Sequence, residues 1–179
     1  MYAVTMLRER RSIRSFKEDA VDRETMNTII DNASYYPSWA NFQIARFNVV
    51  EDPETRKKLA EEGMFGPNVK TTGKAPGVLV ISYVKGQNGT LPGQEGYVTT
   101  KGATWDMFDA GAASQNFCLA AYEQGVGTVI MGLFDEDKVA RIINLPEDET
   151  VAAVIPYGYE VKHPKAAPRK PMDEISRYI

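Results

Sequence analysis

Arg10-Arg11-Ser12-Ile13-Arg14 and, further along the chain, Pro37-Ser38-Trp39-Ala40-Asn41-Phe42-Gln43 are the stretches that decide how this sequence is read. The first gathers three guanidiniums and a hydroxyl into five residues. The second sets hydroxyl and amide groups just beyond a proline that should end a helix. Together they have the chemistry to grip a phosphorylated, planar cofactor. Each also has a plainer reading. Arginines placed after a helix can satisfy its last carbonyls or lie solvated, and Asn41 and Gln43 can be ordinary turn and strand-edge residues.

Subtraction narrows the chemistry. The chain of 179 residues has one histidine, His163, and one cysteine, Cys118. A Ser-His-Asp triad would have to use His163, and a Cys-His pair would have to use both. A zinc site with several Cys and His ligands is excluded. If the chain is an enzyme, an organic cofactor therefore carries the difficult step, and no protein general acid or base is named. A net charge of -3 argues against nucleic acid as partner, so the basic residues near position 10 make a local anion site rather than part of a basic field. No charged-then-apolar leader opens the sequence, and no apolar run approaches the ~20 residues that span a bilayer. No membrane partner is expected, and a lone cysteine suits a reducing cytoplasm.

The length and the 43% hydrophobic content fit one core and a single domain over residues 1–179. Residues Tyr2 to Glu9 read as a short opening helix. Asp22 caps a second helix whose Met26, Ile29, Ile30 and Ala33 share a face before Pro37. Phe47 to Val50 is a strand, Asp52-Pro53 opens a helix running to about Glu62, and Gly77 to Tyr83 is an apolar strand. Lys85 to Thr100 has the composition of a surface loop or lid. The long Ala-rich helix from Trp105 to Gln124 turns Ala110, Ala113, Ser114, Phe117 and Ala121 inward and ends at Gly125. A strand at Gly127 to Met131, a helix from Asp135 to Ile143 and a strand at Val151 to Tyr157 follow. Beyond Gly158, Pro164, Pro168 and Pro171 impose an extended tail. Gly125-Val126-Gly127 follows a helix and is not a dinucleotide fingerprint, which opens one. Cys118 reads as a packing residue, and His163 as an exposed one.

The succession of Arg10-Arg11-Ser12-Ile13-Arg14-Ser15-Phe16, Pro37 to Gln43, Gly125-Val126-Gly127-Thr128-Val129-Ile130-Met131-Gly132 and Arg169-Lys170-Pro171 resembles the nitroreductase family of FMN-dependent oxidoreductases. The resemblance covers nearly the full chain. It implies an α+β fold with a mixed, largely antiparallel sheet flanked by helices. It further implies an intertwined homodimer with flavins at the interface, and a tail, residues 159–179, that reaches over the partner.

Carried onto this chain, the resemblance implies that Arg10, Arg11, Ser12 and Arg169 bind the FMN phosphate, where bidentate guanidiniums suit a dianion. Arg14 falls beside the pyrimidine edge of the ring, where a fixed cation favours reduction. Pro37, Ser38, Asn41 and Gln43 serve the other subunit's flavin. Asn68, with Lys70 as a less secure companion, lies near the ring, and the Met131-Gly132 turn offers a backbone N–H to the flavin nitrogen that accepts hydride. Trp39 and Ile44 depart from the family pattern, and Trp39, Phe65, Trp105 and Phe108 are either a flat acceptor pocket or core. The implied reaction is ping-pong: NAD(P)H reduces FMN, and an electron-poor nitroaromatic, quinone or flavin is reduced in turn. Alternatives on the same fold are a non-catalytic flavin carrier or sensor, and a flavin-fragmenting or dehalogenating enzyme.

Overall fold

A computed structural model describes residues 3–179. Its centre is a four-stranded sheet in the order β1-β2-β4-β3, with β1 Ala45–Val50, β2 Gly77–Val84, β3 Val126–Thr128 and β4 Glu149–Tyr159. All three ladders are antiparallel. An isolated parallel bridge between Ser12 and Thr128 extends the β3 edge, so the expected α+β fold with a largely antiparallel sheet is what forms.

The inner strands are apolar because both sheet faces are covered. Along β2, Leu79 and Ile81 face one cluster while Val78 and Val80 face another, and all four are fully buried. On the first face lie Met26, Ile29 and Ala33 of α2 (Arg23–Ala33) and Ala110, Phe117 and Ala121 of α5 (Thr104–Glu123). Against the second lie Leu59, Met64 and Val139, the last from α6 (Glu136–Ile142). A register shift between Ile81 and Ser82 leaves Ala152 unpaired, which lets Val151 and Ala153 join opposite clusters. Tyr157 fills the β3 end of the first core, and burial pushes its phenol up to about 12. A Cβ on Gly77 would lie 2.1 Å from that ring, so the close approach requires glycine.

Asp22 accepts the Thr25 N–H at 2.8 Å and caps α2 as expected. The helix after Asp52 is shorter and changes character: α3 (Pro53–Lys58) passes into a π-helical turn, Leu59–Gly63. A further helix, α4 (Pro67–Lys74), was not anticipated; its mixture of Thr, Lys and Gly gives a weak apolar stripe, with only Thr71 and Thr72 buried. Pro156 sits in the interior strand β4, where proline is unusual. Its carbonyl accepts from Val129, beyond the last β3 rung, so the ring lies on the side where the ladder has ended. The opening helix α1 runs Ala3–Glu9, and Tyr2 lies outside the described residues. The tail beyond Tyr159 is extended and mostly exposed until α7 (Met172–Ile175) starts directly after Pro171. Among the described residues, no helix is long and apolar enough to cross a membrane.

Candidate cofactor site

The sequence-predicted residues fall into two groups on opposite edges of the sheet. At the β3 edge, Ile13 donates its N–H to the Thr128 carbonyl at 2.9 Å, Lys17 donates to Tyr159 at 2.8 Å, and Val161 donates to Ser15 at 3.1 Å. Residues 12–17 are thus drawn along the sheet as a rim. Gly127 allows this, since a Cβ there would lie 2.7 Å from Ile13 Cγ1. The rim fixes where Arg10, Arg11, Ser12 and Arg14 stand.

Their side chains differ. Arg11 Nη1 donates to the carbonyls of Arg8 at 2.7 Å and Arg10 at 2.9 Å, so this guanidinium does satisfy the end of α1. Its Nε is nonetheless buried without a partner, and so is the Thr128 hydroxyl oxygen by hydrogen-bond geometry. Arg10 and Arg11 line a cavity of about 60 Å³ together with Tyr122, Thr128, Glu160 and His163. Burial pushes the neighbouring Cys118 thiol up, against smaller opposite pulls from the Thr128 hydroxyl and the Arg10 charge. Arg14 is exposed, and its Nη1 donates to the Ser12 carbonyl at 3.5 Å. Arg169 is exposed in the tail. His163 is also exposed and lies 3.2 Å from Glu160, as its place in the tail suggested.

Met131 and Gly132 continue this edge, and here the sequence reading narrows. The Met131 N–H is committed to the Val154 carbonyl at 2.9 Å, and its side chain is buried. Gly132 is exposed, and a Cβ built on it would meet nothing within 4 Å, so of the two residues Gly132 is the one with open space beside its backbone. Asn68 Nδ2 donates to the Leu133 carbonyl at 3.2 Å, which puts α4 and the exposed Phe65 on the same edge. Lys70 is exposed on α4.

The second group stands before β1. Ser38 Oγ accepts the Gln43 N–H at 3.1 Å, Gln43 Nε2 donates to the Asn41 carbonyl at 3.3 Å, and Pro37, Asn41 and Gln43 are exposed. Ala40, Asn41 and Gln43 have φ of 46°, 57° and 51°. Three left-handed residues without a glycine, each costing ~1–3 kcal/mol, persist only where the surroundings over-determine them. Those surroundings are Asp109, which accepts the Trp39 N–H at 2.9 Å, and Thr90, whose carbonyl accepts from Trp39 Nε1 at 2.6 Å. The Trp39 ring lies 5.2 Å from Trp105, which meets Phe108 edge-on at 5.1 Å. Three of the four candidate acceptor-pocket aromatics therefore form one cluster, and Phe65 is not part of it. Ile44, the other departure from the family pattern, is fully buried and belongs to the core.

The loop of residues 85–103 is more firmly held than its composition suggested. Asp106, on α5, accepts from Gly86 at 2.8 Å and Asn88 at 3.0 Å, and Asn88 is fully buried. Sequence reading missed both Asp106 and Asp109. The signal was present: two carboxylates three residues apart on an otherwise apolar helix face must each meet a donor when buried.

The two groups do not meet within one chain. Three strand spacings, ~14 Å, separate the edges, and the six register positions from Gly77, level with Thr128, to Tyr83, level with Ala45, add ~20 Å along the strands. The packed sheet fills the space between.

The chain is thus an α+β fold with an arginine-rich edge and a strained polar turn at opposite corners of its sheet. The nitroreductase family model matches residues 7–64 and 65–159, and the chain belongs to that family. It is similar to a Methanothermobacter thermautotrophicus protein, provisionally named NADH dehydrogenase/NAD(P)H nitroreductase, at 32% identity over 92% of this chain and 80% of the relative. A nitroreductase family protein from Streptococcus pneumoniae has the same fold, with a TM-score of 0.87 at 21% identity over 99% of this chain and all of the other. So does a provisionally named nitroreductase from Exiguobacterium sibiricum solved in complex with FMN, with a TM-score of 0.86 at 19% identity over all of this chain and 98% of the other.

Proposed function

We propose that this chain is an FMN-dependent oxidoreductase that takes a hydride from NAD(P)H and reduces an electron-poor acceptor, a nitroaromatic, quinone or flavin. The observation that carries the reading is the division of the two groups between opposite edges. Each is incomplete alone, and a second copy brings the turn of one chain to the arginine edge of the other. The relative's name supplies the nicotinamide donor, and the FMN complex of the structural neighbour supplies the flavin.

The residues present fit that group. Arg11 Nε is a buried donor with no partner in the chain, and a phosphate oxygen is an acceptor that suits it. Arg10, Arg11 and Ser12 would bind it, with Arg169 from the tail. Arg14 would set its charge at the pyrimidine edge, and Asn68 would hold the ring from its side. Gly132 would present its N–H at the reacting nitrogen; its lack of a side chain leaves room for a flat group to approach. From the second copy, Pro37, Ser38, Asn41 and Gln43 would close the site against water. When bound, FMN supplies two-electron chemistry, receiving hydride from the nicotinamide and returning it to the acceptor in a separate step. A single domain over residues 1–179, a homodimer and a cytoplasmic setting complete the proposal; the lone Cys118 is buried and suits a reducing compartment.

The test is direct. Purified protein should be yellow, and anaerobic addition of NADH or NADPH should bleach it rapidly, with colour returning on addition of a quinone. A colourless protein that fails to take up added FMN would overturn the assignment, and a flavin spectrum that persists after nicotinamide would leave a carrier in its place.

A further inference from the structure

We propose that Asp109 is a positioning residue for flavin binding: its buried carboxylate holds the Pro37–Gln43 turn in the left-handed shape that presents Ser38, Asn41 and Gln43. This rests on the reading of that turn as half of the FMN site. Asp109 is 2% exposed on the second turn of α5, and its Oδ2 accepts the Trp39 N–H at 2.9 Å across a sequence separation of 70 residues. A carboxylate is kept at such a place only where it meets donors, and a hydrogen bond to a charged acceptor is about twice as strong as a neutral one.

The turn needs an outside hold. Its internal bonds are Asn41 N–H to the Ser38 carbonyl at 3.1 Å, Phe42 N–H to the Trp39 carbonyl at 2.9 Å, Gln43 N–H to Ser38 Oγ at 3.1 Å and Gln43 Nε2 to the Asn41 carbonyl at 3.3 Å; they close the turn, but none of them involves Ala40 or acts on its φ. What fixes the turn from its N-terminal side is Asp109, together with Trp39 against Trp105. Asp106, one helical turn earlier, does the same for the loop of residues 85–103 through Gly86 and Asn88. The N-terminal half of α5 therefore anchors both segments through two carboxylates on one face. Trp39 joins them by donating from Nε1 to Thr90.

The experiment compares Asp109→Ala and Asp109→Asn in the full chain. Asparagine keeps an oxygen that can accept from Trp39, whereas alanine does not. Two readouts are taken: amide hydrogen exchange of residues 38–43 without flavin, and FMN affinity by fluorescence titration of the apoprotein. Asp109→Ala should speed exchange at Trp39 at least tenfold and weaken FMN binding about 10- to 100-fold, the worth of a charged hydrogen bond. Asp109→Asn, whose neutral amide oxygen makes a bond about half as strong, should leave losses of only about 3- to 10-fold in each. If alanine prevents folding, Asp109→Ser, whose hydroxyl falls short of Trp39, replaces it.

Unchanged exchange overturns the proposal, because the turn then holds its own shape. Faster exchange with unchanged FMN affinity overturns it too, because the shape is then irrelevant to binding. Equal losses in the asparagine and alanine variants would point to a packing role and reject positioning by hydrogen bond. A wild-type protein that does not bind FMN would sink the functional reading, and with it the flavin-positioning role, while the exchange result would still show whether Asp109 shapes the turn.

Discussion

The arginine edge and the Pro37–Gln43 turn are held in place by opposite means. Residues 12–17, none of which has a positive φ, are stitched to β3 and β4 by main-chain hydrogen bonds and admitted by the missing side chain of Gly127. The turn is strained at Ala40, Asn41 and Gln43, and side chains from distant elements keep it so. One corner takes its shape from the sheet, the other from its surroundings. In the proposed two-copy site, a rigid seat for the phosphate would meet a sprung polar clamp.

The largest effect expected is at the seat. Among the described residues the Arg10 side chain makes no hydrogen bond within the chain; its N–H donates to the Met6 carbonyl, and its own carbonyl accepts from Arg11. Arg10→Ala should therefore weaken FMN binding by about 1.5–3 kcal/mol, the worth of a bond to a charged group, while leaving the unfolding midpoint nearly unchanged. Flavin titration beside thermal unfolding separates the two, and a binding loss well under that range would make Arg10 a solvated arginine. Gly127→Ala attacks the same corner through its backbone. The new Cβ would meet Ile13 at 2.7 Å, and a stiff β-branched residue cannot swing aside, so ~1–3 kcal/mol of stability in urea should go, with flavin retention falling alongside.

Much of this architecture was legible. The apolar periods of α2 and α5, the Asp22 and Asp135 caps and the apolar run Gly77 to Ile81 of β2 are local patterns, and each element forms where its pattern lies. The arginines and the Pro37–Gln43 residues were found as chemistry. Their separation came only from the family resemblance, which assigned the turn to the other subunit's flavin; the distance itself is set by sheet order, β1 at one edge and β3 at the other, which no local pattern encodes. The strained turn was equally hidden: nothing in Trp39-Ala40-Asn41 announces positive φ at an alanine, since the cause, Asp109, is far along the chain. Met131 shows the same limit on a smaller scale, its N–H being already taken by Val154 of the neighbouring strand.

At the turn, glycine should have the opposite effect to the one at the seat. Ala40 is exposed and held at φ 46°. Ala40→Gly removes the Cβ clash of that conformation and should raise stability by about 1 kcal/mol, after the extra entropy of the unfolded glycine is subtracted. A midpoint that falls instead would show that the turn is not strained in solution and that the contrast between the corners is false.

The smallest effect expected comes from acid. Hydrogen bonds from Thr25 hold the Asp22 carboxyl below its ordinary 3.8, as those from Thr55 do for Asp52 and the Lys138 N–H does for Asp135. A carboxyl with a lowered folded pKa leaves the folded chain with fewer bound protons than the unfolded one. Its contribution is therefore complete above the ordinary value and is lost as pH falls through the folded one. Asp22 and Asp52 are exposed and Asp135 is only partly covered, so each effect is small. It is also unevenly placed: α2, which leads into the Pro37–Gln43 turn, depends on Asp22, while residues 12–17 are held by backbone bonds that do not titrate. Between pH 5 and pH 3, amide exchange corrected for its intrinsic rate should rise in Arg23–Ala33 and stay flat in residues 12–17. Asp22→Ala should already show the raised exchange at pH 5 and change less with acid. Equal loosening of both segments would mean that acid acts on the whole fold, and that the two corners are less independent than their construction implies.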